Sequence, residues 1–257
     1  MSRPTRRDWL LGVSAWGAAS AAGLRASPAA AFAEQGAFHA RLLGVPGREV
    51  PEDARTAASR WAFELVERTS APGRTLAEVV AVDGPELLQE PFVVWAGSED
   101  PGQLGRTAQR RLAEYLSLGG LLVVDDRAPG NGAFRRGVQR EMQRVWPDGS
   151  AVQLPSSHVL YKSYYLLERP YGRVEGPPSI SAISKGRFAQ VLFLEHDLLG
   201  ALARQGDGWA HEVTPGGAAQ RRMAVRFAVN IAMYVLCSDY KDDQVHAPFV
   251  MRRRMRG

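Results

Sequence analysis

The chain has 257 residues, of which 45% are hydrophobic and 23% are charged, with 26 glycines and 16 prolines spread along its length. This composition is typical of a globular protein and excludes a disordered, collagen-like or coiled-coil chain. The formal net charge of +5 arises largely at the two ends, because basic residues gather before position 34 and in a short C-terminal tail, Arg252, Arg253, Arg254 and Arg256. A nucleic-acid groove needs clustered basic side chains along its surface, so we expect no nucleic-acid partner.

The N-terminal segment has the order of an export signal. Arg6 and Arg7 precede an apolar stretch over 9–24, which is shorter than the roughly 20 residues that a membrane-spanning helix needs. Ala31 and Ala33 then flank a bulky residue, as signal peptidase requires. This order resembles a twin-arginine signal peptide, which implies that the export machinery recognises the two arginines and that the protein resides in the periplasm or cell envelope of a bacterium.

The predicted domain organisation is a signal peptide over 1–33 and one domain over 34–257 that ends in the basic tail. Cleavage after Ala33 is the main expectation, and retention as an anchor is the alternative; no stable transmembrane span is expected. Cys237 is the single cysteine, so no disulfide has to form after export. Its place among apolar neighbours at the end of the last helix favours a protonated, inert thiol.

In the first half of the domain, strand and helix patterns alternate. A strand over 38–45, a helix over 54–65 and a strand over 76–82 are followed by an apolar strand over 92–96, a helix over 104–116 and a strand over 121–124. The second half continues with a helix over 134–145, an irregular stretch over 151–178, a strand over 188–194, a helix over 198–203 and a long helix over 218–237. Repeated strand–helix–strand units predict an α/β three-layer sandwich, in which a mostly parallel sheet has helices on both faces.

Polar residues follow three of these strands, at 97–100, 125–127 and 195–197. In an open parallel sheet, ligands bind beyond the carboxyl ends of the strands. His158 is a further polar candidate in the irregular stretch. The residues that we expect to bind a ligand are Gly97, Ser98, Asp125, Asp126, His158 and His196.

Several of these segments carry a family resemblance. The stretches 91–97, 112–126, 145–147 and 224–231 look like the domain of unknown function 4159 family, and the element from Gly119 to Asp126 is the most specific of them. That resemblance implies a flavodoxin-like fold similar to the class I glutamine amidotransferases, with no established activity. In those relatives a cysteine nucleophile follows a strand, whereas this chain has Asp125 and Asp126 at the matching turn. Glutaminase activity is therefore not expected.

The acidic and histidine residues at the strand ends could instead form a catalytic cluster. Carboxylates and an imidazole in one place serve as general acid and base or hold a divalent metal, although no recognised metal motif is present. The catalytic candidates are Asp125, Asp126, His158 and Glu195, and the metal candidates are Asp125, His158 and His196. The structural alternatives are that Asp125 caps a helix, that Asp126 pairs with Arg127 and that His196 points to solvent.

Two functions remain open from the sequence. The first is a non-catalytic exported module that binds an unidentified ligand or an envelope protein through the strand-end loops. The second is a cell-envelope hydrolase or lyase that acts on a glycan or peptide through the Asp/Glu/His residues, with a metal as a possible cofactor. Aromatic residues of the irregular stretch, together with Trp209, either pack in the core or form a sugar-stacking rim.

Overall fold

The computed structural model describes residues 36–241, so the predicted signal peptide over 1–33 and the basic tail lie outside the described residues. In chain order the strands are β1 (Phe38–His39), β2 (Arg41–Gly44), β3 (Gly73–Arg74), β4 (Val79–Ala81), β5 (Phe92–Gly97), β6 (Leu121–Asp126), β7 (Val152–Gln153), β8 (Ser181–Lys185), β9 (Phe188–Leu194), β10 (Arg204–Gln205) and β11 (Gly208–Trp209). The α-helices are α1 (Glu52–Thr69), α2 (Arg106–Ser117), α3 (Ala133–Val145), α4 (Leu198–Leu202) and α5 (Gly217–Lys241). Two 3-10 helices span Pro85–Gln89 and Val159–Lys162.

The central sheet has seven strands in the spatial order β4-β2-β5-β6-β9-β8-β7. The first five are parallel, while β8 runs antiparallel to β9 and β7 runs antiparallel to β8. Counted along the chain, the five parallel strands lie in the order 2-1-3-4-5. The strand order therefore reverses between β2 and β5, and the prediction of a mostly parallel sheet is confirmed.

Alternation along β6 shows how the layers form. Leu121 and Val123 belong to one apolar cluster, and Leu122 and Val124 belong to another on the opposite face. Residues of α1, α4 and α5 pack in the first cluster, and residues of α2 and α3 pack in the second. Because a strand exposes successive side chains on opposite faces, this pattern produces the predicted three-layer sandwich.

Three local expectations differ from the structure. The strand predicted over 76–82 shortens to β4, because Leu76 is 83% exposed and contributes nothing to the core. The antiparallel strand β8 was not predicted, since its sequence ends in polar residues and it carries an irregularity between Ile183 and Ser184. Cys237 is exposed, whereas apolar surroundings were expected for its thiol.

Membrane insertion was tested only for the part of the chain between residues 36 and 241. No helix there combines the length and the apolar character that crossing a bilayer demands.

Candidate functional site

The carboxyl ends of β5, β6 and β9 meet at one edge of the sheet, which we call the carboxyl edge. Gly97 lies opposite Asp126, and Asp125 lies opposite Leu194 in the parallel register. The residues that follow these strands, among them Ser98 and Glu195, therefore reach the same edge. The expected gathering of three strand ends is present.

At this edge, the side chains of Asp125 and Asp126 lie on opposite faces of the sheet. Both oxygens of Asp125 accept hydrogen bonds from backbone amides at the start of α4, those of Leu198 at 2.9 Å and Leu199 at 2.8 Å. Asp126 accepts from the amide of Ala128 at 3.0 Å in the loop before α3, and its other oxygen is buried with no hydrogen-bond partner among residues 36–241. The contacts of Asp125 are thus those of a side chain that caps a helix, as the structural alternative predicted.

Asp197 completes the cap of α4 and binds two arginines. It adopts a left-handed conformation with φ of 51° and accepts the amide of Gly200 at 2.9 Å. Its carboxylate also pairs with Arg173, and with Arg127 at 3.3 Å. Every acceptor on this buried side chain is directed at a donor, as the burial of a charge requires.

Arg127 links Asp197 to the first turn of α1. It donates two parallel hydrogen bonds to Asp53, at 2.9 and 2.8 Å, and the ring of His211 contacts the same carboxylate at 2.7 Å. The expected pairing of Arg127 with Asp126 is wrong, because Asp126 faces the other side of the sheet. We call the connected side chains the carboxylate network: Asp53, Asp125, Arg127, Arg173, Asp197 and His211.

Within the network, the pKa values of two carboxyl groups are shifted in opposite directions. Burial, reinforced by the charge of Asp197, raises the pKa of Asp125 well above its usual range. The hydrogen bonds from Arg127 hold the pKa of Asp53 well below its usual range. Separated pKa values of this kind occur at catalytic centres, but Asp125 is fully buried and both its oxygens are occupied, so no substrate atom reaches it.

Glu195 and His196 point into different surroundings. Glu195 lies 3.1 Å from the guanidinium of Arg135 and lines a depression of about 480 Å³, which the loop over 128–131 and the segment over 173–177 also border. His196 is only 3% exposed, and its Nε2 lies 2.9 Å from the carbonyl oxygen of Pro177. Burial lowers the pKa of His196 to about 4, so the ring is neutral near pH 7. The alternative of a solvent-exposed His196 is wrong.

A glycine allows the covering segment to close over His196. A Cβ on Gly176 would collide with the carbonyl oxygen of Glu195 and with the imidazole. The segment can therefore approach the backbone after β9 only because position 176 lacks a side chain.

His158 does not reach the carboxyl edge. Its Nδ1 accepts the amide of Leu160 at 3.2 Å, and its ring lies 5.9 Å from that of Tyr234. The hydroxyl of Tyr234 in turn accepts the amide of Ala189, which is at the start of β9. His158 therefore lies near the amino end of β9, and the expectation that it shares a site with Asp125 is wrong.

The predicted metal candidates do not come together in the structure, because His158 lies away from Asp125 and His196. Between residues 36 and 241 there is no group of three or more His, Cys, Asp or Glu side chains placed to hold a metal ion. The proposed metal candidates are separated: Asp125 binds amides, His196 contacts a carbonyl oxygen and His158 is at the opposite edge.

A second cavity opens where the strand order reverses, between the loops that follow β2 and β5. We call it the switch-point crevice; it has a volume of about 320 Å³ and is lined by Leu43, Val45, Gly47, Arg48, Glu49, Val50, Pro51, Trp95, Ala96, Gly97, Ser98, Glu99, Pro101 and Phe134. Two of the predicted ligand-binding residues, Gly97 and Ser98, therefore border a cavity. A Cβ on Gly97 would lie 2.5 Å from the ring of Phe134, so glycine lets that ring pack on the crevice wall.

An ion pair connects the two loops of the crevice. Arg48 lies 3.3 Å from the carboxylate of Glu99 and donates to the carbonyl of Asp100 at 2.9 Å. Both side chains are at least half exposed, so water screens the pair and its contribution to stability is small. The crevice mouth is thus bordered by charges that a ligand could displace at low cost.

The sequence does not indicate the partners of several residues at the carboxyl edge and the crevice. Arg173 lies in the irregular stretch, and its contact with Asp197 depends on how that stretch folds back. Asp53 was recognisable as a favourable residue in the first turn of a helix, but its pairing with Arg127 spans 74 positions of the chain. Arg48 follows β2 in a turn, and only the strand order brings it to Glu99.

Comparison with known proteins gives one family. The family model described as Domain of unknown function (DUF4159) matches residues 40–236, which include the whole seven-stranded sheet and the carboxyl edge. A search of curated proteins finds none that matches this chain.

Proposed function

The chain belongs to the domain of unknown function 4159 family, and on this premise we propose that it is an exported binding module that receives a ligand or an envelope partner in the switch-point crevice. In this proposal the carboxylate network holds the loops in place and performs no catalysis. The proposal includes export by the twin-arginine pathway through Arg6 and Arg7, cleavage after Ala33 and residence in the bacterial periplasm or envelope.

The observation that carries the proposal is that both carboxylate oxygens of Asp125 already accept hydrogen bonds from backbone amides. A general acid or base must lie within hydrogen-bond reach of the atom that it protonates or deprotonates. Asp125 instead uses both oxygens to bind Leu198 and Leu199, and Asp197 binds an amide and two arginines. The catalytic candidate Asp125 and its neighbour Asp197 are thus committed to starting α4 and to connecting it with α1.

The crevice supports a binding role through its position. In open parallel sheets, ligands bind outside the carboxyl ends of the strands at the point where the order reverses, and the order 2-1-3-4-5 places that point between β2 and β5. The same order supports assignment of a flavodoxin-like fold similar to that of class I glutamine amidotransferases. At the position of their nucleophile this chain has Asp125.

Blocking the crevice tests the proposal. We expect ligand-observed NMR with a fragment library to identify compounds that bind the purified protein saturably, and we expect Ser98→Trp to abolish their binding because Ser98 is an exposed lining residue. Ser117→Trp is the matched control, since Ser117 is equally exposed but lies at the end of α2, before the amino end of β6. Binding that survives Ser98→Trp, or that both variants reduce equally, contradicts the proposal.

Metal analysis separates the binding module from a metal-dependent enzyme. We expect protein purified without chelator to contain no stoichiometric zinc, manganese or iron that depends on Asp125. A stoichiometric metal that is lost in Asp125→Ala would overturn the proposal in favour of the enzyme.

One observation favours an envelope hydrolase or lyase as the second candidate. Asp126 is fully buried, burial raises its pKa, and one of its oxygens has no hydrogen-bond partner in the part of the chain between residues 36 and 241. The next strand ends beside it, and Glu195 there borders the 480 Å³ depression. Turnover of a glycan or peptide substrate that Asp126→Asn abolishes, with the free energy of unfolding unchanged, would support this candidate.

A further inference from the structure

A small hairpin outside the main sheet carries a concentration of positive charge. Strands β10 and β11 pair with each other, with Arg204 opposite Trp209. The hairpin is fixed to α1 by Thr56, whose hydroxyl accepts the amide of Arg204 at 3.0 Å and donates to its carbonyl at 3.0 Å. Arg204 and Trp209 therefore have defined positions on the outer surface of the helical layer.

Three guanidinium groups surround the indole of Trp209. The central carbons of Arg221, Arg204 and Arg60 lie 4.4, 4.7 and 5.3 Å from the ring centroid. These distances are within the range of cation–π contacts. The indole of Trp209 therefore packs against guanidinium groups, and its expected part in a sugar-stacking rim stays a prediction.

Only one of the three arginines has a carboxylate partner in the described part of the chain. Arg60 donates to Glu64 at 2.8 Å. Arg221 is 8% exposed and donates to two neutral carbonyls, those of Ala201 at 2.5 Å and His211. Arg204 donates to the carbonyl of Asp207, and neither Arg204 nor Arg221 lies within ion-pair distance of an acidic side chain of residues 36–241.

Two like charges on one indole repel each other, and low solvent exposure strengthens the repulsion. The indole compensates for only part of it, since a cation–π contact contributes about 0.5–2 kcal/mol. Burial, followed by the charge of Arg204, lowers the pKa of Arg221. The site therefore has two positive charges without a carboxylate partner among residues 36–241, one on the partly exposed Arg204 and one on the buried Arg221.

We propose that the arginine–indole cluster, formed by Arg204, Trp209 and Arg221, binds the phosphate of a phosphomonoester. A phosphomonoester carries a charge of about −1.5 to −2 at pH 7, which matches the two uncompensated guanidinium groups. The planar fork of arginine suits phosphate oxygens, and the Nε and Nη1 groups of Arg204 have no acceptor among the described residues. A monocarboxylate would neutralise only half of the charge.

The organic part of the ester has an apolar surface beside the cluster. Phe63 is 40% exposed on α1, and the guanidinium of Arg60 lies over it at 4.7 Å. Trp209 is 38% exposed, and the guanidinium of Arg60 lies over its ring as well, so the two aromatic residues are neighbours on this surface. A phosphate ester with an aromatic or aliphatic group would place that group on Phe63. This site is separate from the switch-point crevice and does not depend on the function proposed for it.

Calorimetric titration with phenyl phosphate, inorganic phosphate and acetate, at constant ionic strength and neutral pH, tests the proposal. We expect one saturable site for phenyl phosphate and at least about tenfold weaker binding of acetate, because acetate has a single charge. Arg204→Gln is expected to weaken phenyl phosphate binding at least about tenfold. Arg222→Gln is the control, since it removes the same charge from an exposed neighbour of Arg221 and should change the affinity less than about twofold.

The result that overturns the proposal is absence of saturable binding, equal weakening by Arg204→Gln and Arg222→Gln, or equal affinity for acetate. Phe63→Ala is expected to remove the preference for phenyl phosphate over inorganic phosphate. Equal affinity of the unmodified protein for these two ligands overturns the ester assignment. Thermal unfolding of Arg204→Gln serves as the folding control. Ser98→Trp blocks the crevice and should leave phenyl phosphate binding unchanged, so the two proposals fail independently.

Discussion

The carboxylate network and the arginine–indole cluster both lie against α1, but charges of opposite sign are paired in the network, whereas charges of the same sign meet in the cluster. In the network, Asp53, Arg127 and Asp197 alternate in sign, and the amides at the start of α4 occupy the remaining acceptors. In the cluster, Arg204 and Arg221 have the same sign, and within residues 36–241 their partners are neutral carbonyls and an indole. Compensated charges indicate a structural role, and uncompensated charges indicate a place for a ligand.

This difference is energetic as well as geometric. Removing one partner from a buried, compensated group leaves the other partner buried without compensation, which is strongly destabilising. Removing one of two like charges relieves repulsion and costs little. Substitutions in the two regions should therefore have opposite effects on stability, with large losses in the network and little change or a small gain in the cluster.

The largest effect is expected at Asp197. Asp197→Ala leaves Arg173, Arg127 and the amide of Gly200 without their acceptor and places alanine in a left-handed conformation. We expect the free energy of unfolding, measured by urea denaturation, to fall by about 4 kcal/mol. Asp197→Asn should lose about half as much, because asparagine tolerates this conformation and still accepts from Gly200. A loss below about 1 kcal/mol for alanine would contradict the structural role.

Asp125→Ala is expected to lower the free energy of unfolding by about 3 kcal/mol, because two buried amides lose their acceptor. Its neighbour is the control: Asp126→Ala removes the hydrogen bond from the amide of Ala128 and should cost about 1 kcal/mol. Urea denaturation at neutral pH measures both. Equal losses of the free energy of unfolding would show that the two carboxylates contribute equally, and would contradict the special structural role of Asp125.

The third prediction concerns acid stability and His196. Its folded pKa of about 4 lies below the ordinary value of 6.5, so between these values the unfolded chain binds a proton that the folded chain does not. The contribution of His196 to stability is therefore complete above pH 6.5 and falls by about 3 kcal/mol as the pH drops toward 4.

His196→Gln tests this, because glutamine can still donate to the carbonyl of Pro177 but does not titrate. We expect the unmodified protein to lose about 2 kcal/mol more than this variant between pH 7 and about pH 4.5. Asp125, whose raised pKa makes its contribution to stability grow as the pH falls, is present in both proteins, so its effect cancels when the two are compared. Parallel stability curves would contradict a neutral, buried His196.

The smallest effect is expected at Arg204. Arg204→Gln removes one of two like charges, so we expect the free energy of unfolding to change by less than about 0.5 kcal/mol, or to increase slightly. Thermal and urea denaturation in the absence of phosphate measure it. A loss above about 1 kcal/mol would show that Arg204 is structural, and would remove the contrast between the two regions.

Much of the fold was predictable because the layers leave strong periodic patterns. The continuous apolar run of β5 and the helical spacing of Ala54 to Leu65 in α1 identify a buried strand and a covering helix directly. The strand ends at Gly97 and Asp125 could be predicted to meet, because parallel strands deliver their carboxyl ends to one edge. The antiparallel β8 could not, since it is short and half polar.

The contacts of the site residues were much less predictable. Periodicity places a residue on a strand but does not identify its partner, and Arg127 illustrates this: its neighbour Asp126 faces the other layer, while its partner Asp53 is far away in the chain. His158 was grouped with Asp125 because of its chemistry, yet the 3-10 helix that it caps packs near the opposite end of β9. The cluster around Trp209 depends on three separate elements, and no local pattern connects them.

The adjacent acids at the end of β6 have a consequence for how the sheet assembles. Asp125 begins one helix on one face, and Asp126 holds the loop before another helix on the other face. A slip of β6 by a single residue would exchange the two faces, so either Val124 would replace Asp125 beside the amides of Leu198 and Leu199, or Arg127 would replace Asp126 beside the loop before α3. The pair thus discriminates against misaligned strands during folding, and only the correct alignment satisfies both helical layers together.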